Sequence, residues 1–104
     1  MNARALHHKL NILKLLYDTG LRVTASQLII SNANQYLIPL EEAKLISRVE
    51  VPRENSSPYK VGFVNRDTRK KAKDYLEKYN MLNRETPFYI LNFEVTQKTE
   101  QKEV

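Results

Sequence analysis

The chain of 104 residues contains no cysteine and only two glycines, Gly20 and Gly62. Without cysteine there is no disulfide framework, no thiolate zinc site and no cysteine nucleophile, which suits a reducing compartment. Two glycines so far apart exclude a P-loop, a dinucleotide-binding fingerprint and a nucleophile elbow, each of which needs clustered glycine. Long apolar runs are missing too. None exceeds about four residues, against the roughly 20 needed to cross a bilayer, and the N-terminus lacks the apolar centre of a signal peptide. A soluble, cytoplasmic protein with no membrane partner is expected.

Side chains suited to catalysis are also scarce. His7 and His8 are neighbours, so on a helix they diverge by about 100° and cannot grip one metal as an i, i+4 pair would. Glu41 and Glu42 diverge in the same way and make a poor acid/base pair. The six tyrosines sit at packing intervals. No enzyme activity, metal, cofactor or small-molecule ligand is expected.

What is present is positive charge and a modest core. Net charge is +5 and the pI is near 9.5. Such a balance fits a nucleic-acid partner, since Lys and Arg displace counterions from phosphate, although a soluble charged surface alone would look the same. Apolar residues make up 41% of the chain, enough for one domain.

Helical periodicity runs from Met1 to Thr19, with Leu6, Leu10, Leu13, Leu16 and Tyr17 on one face. Ile12 and Leu15 fall outside that stripe, which points to a partner subunit or to a helix buried on two sides. Gly20 is a natural stop. After a short extended link, "TASQ" fits a capping box opening a second helix over about residues 25–31, with Leu28 and one or both of Ile29 and Ile30 inward. "SNAN" breaks it. Asn32 with Gln35 offers another capping box, and a third helix over about 33–45 would bury Ala33, Leu37, Leu40 and Ala43. Pro39 interrupts that helix at a cost of ~3 kcal/mol. One kinked helix is favoured over a fresh start with Pro39 as first residue.

The period then changes to two. Val49 and Val51 alternate with Arg48 and Glu50, and Tyr59, Val61 and Phe63 alternate with Lys60 and Gly62. "PRENSSP" between them is a turn, giving a β-hairpin with a polar tip of about six residues. Helical spacing returns from Asn65 to Asn80, with Ala72, Tyr75, Leu76 and Tyr79 as the apolar stripe. "TPFYILNFEV" has the alternation of a terminal strand, on whose edge Pro87 fits. The tail 96–104 is expected to be disordered. The expected domain is 1–95, a core of 5–65 extended by the helix and strand of 65–95.

This order of elements resembles a winged helix-turn-helix domain, most closely at "YLIPLEEAKLISRVEV". Leu40, Glu41, Glu42, Ala43, Lys44, Leu45, Ile46, Ser47 and Arg48 follow the pattern in which a recognition helix ends and the wing begins, with Lys44 where glycine is usual. The resemblance covers roughly residues 5–65 and implies a mainly α fold with a β-hairpin wing, α+β in class. It also implies a dimeric, sequence-specific regulator of transcription that binds double-stranded DNA and acts by occupying its site. The third helix would enter the major groove, with Ser31, Asn34, Gln35 and Ile38 reading bases; Asn and Gln pair bidentately with adenine. Arg22, Arg48, Arg53 and Lys60 would hold phosphates. Arg66 and Arg69 would join them or belong to a solvated helix face. The expected homodimer would use Ile12 and Leu15, Tyr75 and Tyr79, and Phe88 and Ile90. A winged helix also serves as a protein-interaction module, for example an adaptor or antagonist of a nucleic-acid machine, and a replication or partition accessory would share the DNA chemistry.

Overall fold

The computed structural model describes residues 3–92. They form an α+β fold of three helices and one antiparallel hairpin: α1 Ala3–Thr19, α2 Asn34–Glu42, β1 Ser47–Arg53, β2 Ser56–Phe63 and α3 Arg69–Lys78. Single 3-10 turns lie at Ala25–Gln27 and Phe88–Ile90. Among the described residues no helix is long and apolar enough to cross a membrane.

The core is built around α1, which touches α2, α3, β2 and the second 3-10 turn. Its stripe of Leu10, Leu13 and Leu16 is buried, and so is the opposite side: Ile12 and Leu15 are both 0% exposed. The expectation of a dimer interface at Ile12 and Leu15 is therefore corrected. Their face is apolar because elements of the same chain cover it. The helix stops at Gly20, whose φ of +70° is the left-handed conformation that a Cβ disfavours.

Beyond Gly20 the chain turns back along the hairpin. Val23 and Gly62 exchange backbone hydrogen bonds of 3.0 and 2.7 Å, which places Val23 beside β2 on the edge away from β1. Thr24 N–H then donates to Gln27 Oε1 at 2.8 Å. The expected second helix of residues 25–31 is cut to one 3-10 turn. Leu28 is extended and bridges Leu91. Ile29 N–H donates to the Ile90 carbonyl at 2.6 Å, and Asn92 N–H to the Gln27 carbonyl at 2.7 Å. A helix through Leu28 would forfeit this pairing. Leu28 is buried, Ile30 half-buried and Ile29 exposed.

Asn32 (φ +52°) reverses the chain before α2, and no side chain caps that helix, so the second capping box does not form. α2 runs unbroken through Pro39. It buries Ala33, Leu37 and Leu40 and leaves Ala43 exposed. At its end Lys44 takes the left-handed conformation itself, at φ +64°. Leu45 N–H donates to the Leu40 carbonyl at 3.0 Å and Lys44 N–H to the Glu41 carbonyl at 2.9 Å. That double bond is a Schellman motif with lysine in the position glycine usually fills.

β1 and β2 pair from Ser47↔Phe63 through Val51↔Tyr59 to Arg53↔Ser56. The tip is Glu54–Asn55, two residues rather than six. The register shifts between Val51 and Arg53, where Pro52 lies opposite Ser57 and Pro58. Neither proline has an N–H for the ladder.

Asn65 links the hairpin to α3. Its Oδ1 accepts from the N–H groups of Asp67 and Thr68, each at 3.0 Å, and its Nδ2 donates to Ser47 Oγ at 3.0 Å. α3 buries Ala72 and Leu76, with Tyr75 and Tyr79 half-buried. The terminal strand expected from Phe88 does not start there, because Pro87 leads into the 3-10 turn and only Leu91 bridges. The remainder of that strand and the tail 96–104 lie outside the described residues.

Candidate nucleic-acid interface

At about 100° per residue, Asn34, Gln35 and Ile38 fall within an arc of about 100°, opposite the buried stripe of α2, while Ser31 precedes the helix, in the turn at Asn32. All four are exposed. Glu42 lies on the same arc, one turn beyond Ile38, and is exposed as well.

A cleft of about 500 Å³ separates this helix from the hairpin. The 3-10 turn contributes Thr24 and Ser26, α2 contributes Asn34, and the hairpin contributes Arg48, Arg53, Tyr59 and Lys60. Asn34, Arg48, Arg53 and Lys60, singled out separately from the sequence, thus share one concavity. The Arg53 guanidinium lies 5.2 Å from the Tyr59 ring centroid, and its Nε donates to the Ser57 carbonyl at 2.9 Å. Lys60 is exposed and pairs in register with Glu50.

Arg48 differs from its neighbours. Its side chain is only 8% exposed and lies 3.6 Å from the Glu41 carboxylate. Its Nη2 donates to Asn34 Oδ1 at 3.2 Å, while its Nε is buried with no hydrogen-bond partner among the described residues. The expectation that Arg48 contacts phosphate is corrected. Covered by protein and facing a carboxylate, it acts inside the site. Gly62 stands opposite it in register. A Cβ there would meet Ile46 Cδ1 at 3.4 Å and Arg48 Cγ and Leu37 Cδ2 at 3.6 Å, ordinary contact distances, so the arginine stem and α2 both lie beside this point of β2.

The other cations stand elsewhere. The Arg22 guanidinium stacks 4.0 Å from the Phe63 ring centroid and is exposed. Arg66, Arg69, Lys70 and Lys73 line a second depression with Tyr17 and Asp74, which shares no residue with the first. There Arg69 stacks 4.3 Å from the Tyr17 ring and donates to the Tyr17 carbonyl, and Lys70 pairs with Asp74 at 3.3 Å.

Of the residues expected at a dimer interface, Ile90 is 5% exposed and is corrected like Ile12 and Leu15, because it packs into its own core. Tyr75 and Tyr79 lie with ring centroids 5.1 Å apart, half-buried against that core. Burial, and secondarily the neighbouring Tyr79, raises the pKa of the Tyr75 hydroxyl above its usual 10.0. Phe88 is exposed, as are Tyr89 and Ile29 close by in the chain pairing. His8 stacks on Tyr36 and His7 meets Asn11. Among the described residues no three His, Cys, Asp or Glu side chains stand together to hold a metal.

Sequence reasoning missed Tyr59, Thr24 and Ser26 as cleft walls, and the link from Glu41 through Arg48 to Asn34. That link has no local signal in the sequence, because its three residues come from α2 and β1 and meet only in the fold. Comparisons with protein-family models, with curated proteins and with solved structures return no match for this chain.

Proposed function

We propose that the chain is a winged helix-turn-helix protein that binds double-stranded DNA as a sequence-specific, homodimeric regulator of transcription. One observation carries this reading: the α2 face of Asn34, Gln35 and Ile38 is left exposed, and Asn34 shares a cleft with the exposed cations Arg53 and Lys60. The helix presents amide and hydroxyl groups suited to base edges, and the hairpin presents point charges suited to phosphate. Thr24 and Ser26 add hydroxyl donors to the cleft wall. Arg22, stacked on Phe63 outside the cleft, and the depression at Arg66 and Arg69 are separate patches that a longer or bent duplex would reach. The exposed Ile29, Phe88 and Tyr89 supply an apolar surface for the second copy. The protein acts by occupying its site, without catalysis or cofactor.

Fluorescence anisotropy against a random duplex tests the reading. Binding should weaken as salt rises, with a log–log slope of about −0.9 per phosphate neutralised. Removing Arg53 and Lys60 together should flatten the slope. No binding in low salt sinks the proposal.

The second reading is a protein-interaction module with the same fold. Glu42 on the exposed arc favours it, as does the absence of any Lys or Arg from α2, whose neighbour Arg48 on β1 is paired with Glu41. A replication or partition accessory would share the salt-dependent DNA binding and differ only in where it acts.

A further inference from the structure

We propose that Arg48 is a positioning residue that makes Asn34 a hydrogen-bond donor toward bases, so that Asn34 reads guanine rather than adenine. This rests on the DNA-binding reading above and deepens it.

An unconstrained asparagine favours adenine because its amide offers one acceptor and one donor, which match N6–H and N7. Here the acceptor is already engaged. Arg48 Nη2 donates to Asn34 Oδ1 at 3.2 Å. The orientation of the amide follows from chemistry: guanidinium has five N–H donors and no acceptor, so only the oxygen can face it. The arginine is held in place by burial, by the Glu41 carboxylate at 3.6 Å and by its stem lying against β2 at Gly62. Swinging it out would leave the acid without its partner. The remaining lone pair of Oδ1 is beside a cation, where the N6–H of adenine meets like charge. The exposed part of Asn34 is therefore its Nδ2, with two N–H donors, which the bond to a cation polarises further.

Donors alone fit guanine, whose major-groove edge carries two acceptors, O6 and N7. Adenine keeps one acceptor, N7, but sets an amino donor beside it that repels a second N–H, and cytosine presents an amino donor alone. Thymine offers a single acceptor, O4, and ranks below guanine. Glu41 belongs to the same device, because it neutralises Arg48 and keeps the guanidinium from turning to phosphate.

The experiment is selection from a pool of random duplexes, sequenced after enrichment, with the wild-type chain, Asn34→Ala, Arg48→Met and Glu41→Gln. Wild type should enrich guanine at one position of each site, by about tenfold over adenine. Asn34→Ala should lose preference at that position alone. Arg48→Met frees the amide oxygen and should convert that position from guanine to adenine, leaving the other positions unchanged. A purely structural role for Arg48 would weaken every position together. Should Arg48→Met not fold, Glu41→Gln loosens the guanidinium with a near-isosteric change and should weaken the guanine preference at that position alone. An unchanged preference there overturns the positioning role. The comparison of wild type with Asn34→Ala tests the donor assignment without touching Arg48. Adenine at the Asn34-dependent position of the wild type overturns the inference, as does guanine retained in Arg48→Met. A pool with no enrichment by the folded wild type overturns the DNA-binding reading itself.

Discussion

The ammonium of Lys14 lies 3.0 Å from the carboxylate of Asp18, one turn further along α1, although the Lys14 side chain is only 3% exposed. The same Nζ donates to the Leu82 carbonyl at 2.9 Å, and Thr86 Oγ1 donates to Asp18 at 2.6 Å. One buried cation thus fastens the segment after α3 to the central helix. Lys14→Met should lower stability by about 2–3 kcal/mol, because it leaves a carbonyl unpaired and a carboxylate without its partner. Urea unfolding of both chains measures this. An unchanged midpoint would show that the segment is fastened without Lys14.

Lys44 should be the easiest position to improve. A left-handed lysine costs roughly 1–2 kcal/mol in steric strain, partly offset in a glycine variant by the entropy of the unfolded chain. Lys44→Gly should therefore raise stability by about 0.5–1 kcal/mol, and Lys44→Ala should give no gain. Thermal unfolding of the three chains distinguishes them, and equal gains from glycine and alanine would contradict the cap assignment.

Pro39→Ala should restore the helical hydrogen bond to the Gln35 carbonyl and relieve the ring clash, stabilising the chain by about 1–2 kcal/mol. Under the proposed DNA-binding reading, its effect on DNA affinity is the more informative number. Tighter or equal binding means that the proline is only tolerated by α2. Weaker binding by a more stable protein means that the proline shapes the reading face.

Tyr75 has an alkaline signature. Its pKa is raised above 10.0 by burial first and by Tyr79 second, so the fold favours the neutral phenol. Its contribution is complete below the unfolded value and is lost as pH rises through the higher folded value. Wild type should therefore lose stability more steeply above pH ~10 than Tyr75→Phe, and parallel curves would contradict the assignment.

What could be read in the sequence follows from how local each signal is. α1, the hairpin strands and the stripe of α3 are written in periodicity, and each forms near its expected position. The second helix failed because Leu28 and Ile29 pair with Ile90 and Leu91, residues far along the chain whose claim on them has no local trace. Ile12 and Leu15 showed that they would be buried, but not by what. Arg48 has the alternation of an exposed strand cation and is buried because α2 closes over it. Lys44 alone marked its own peculiarity, standing where a glycine was expected.

The bridge between Leu28 and Leu91 also bears on time. Its two halves stand 63 positions apart (91 − 28), so forming it closes a long loop, and contacts of such separation slow folding. During synthesis the turn that leads into α2 must wait for nearly the whole described chain to emerge. Until then the helix bearing Asn34 has its hairpin but not its brace. The extended segment before α2 is thus completed by residues from the far end of the described chain.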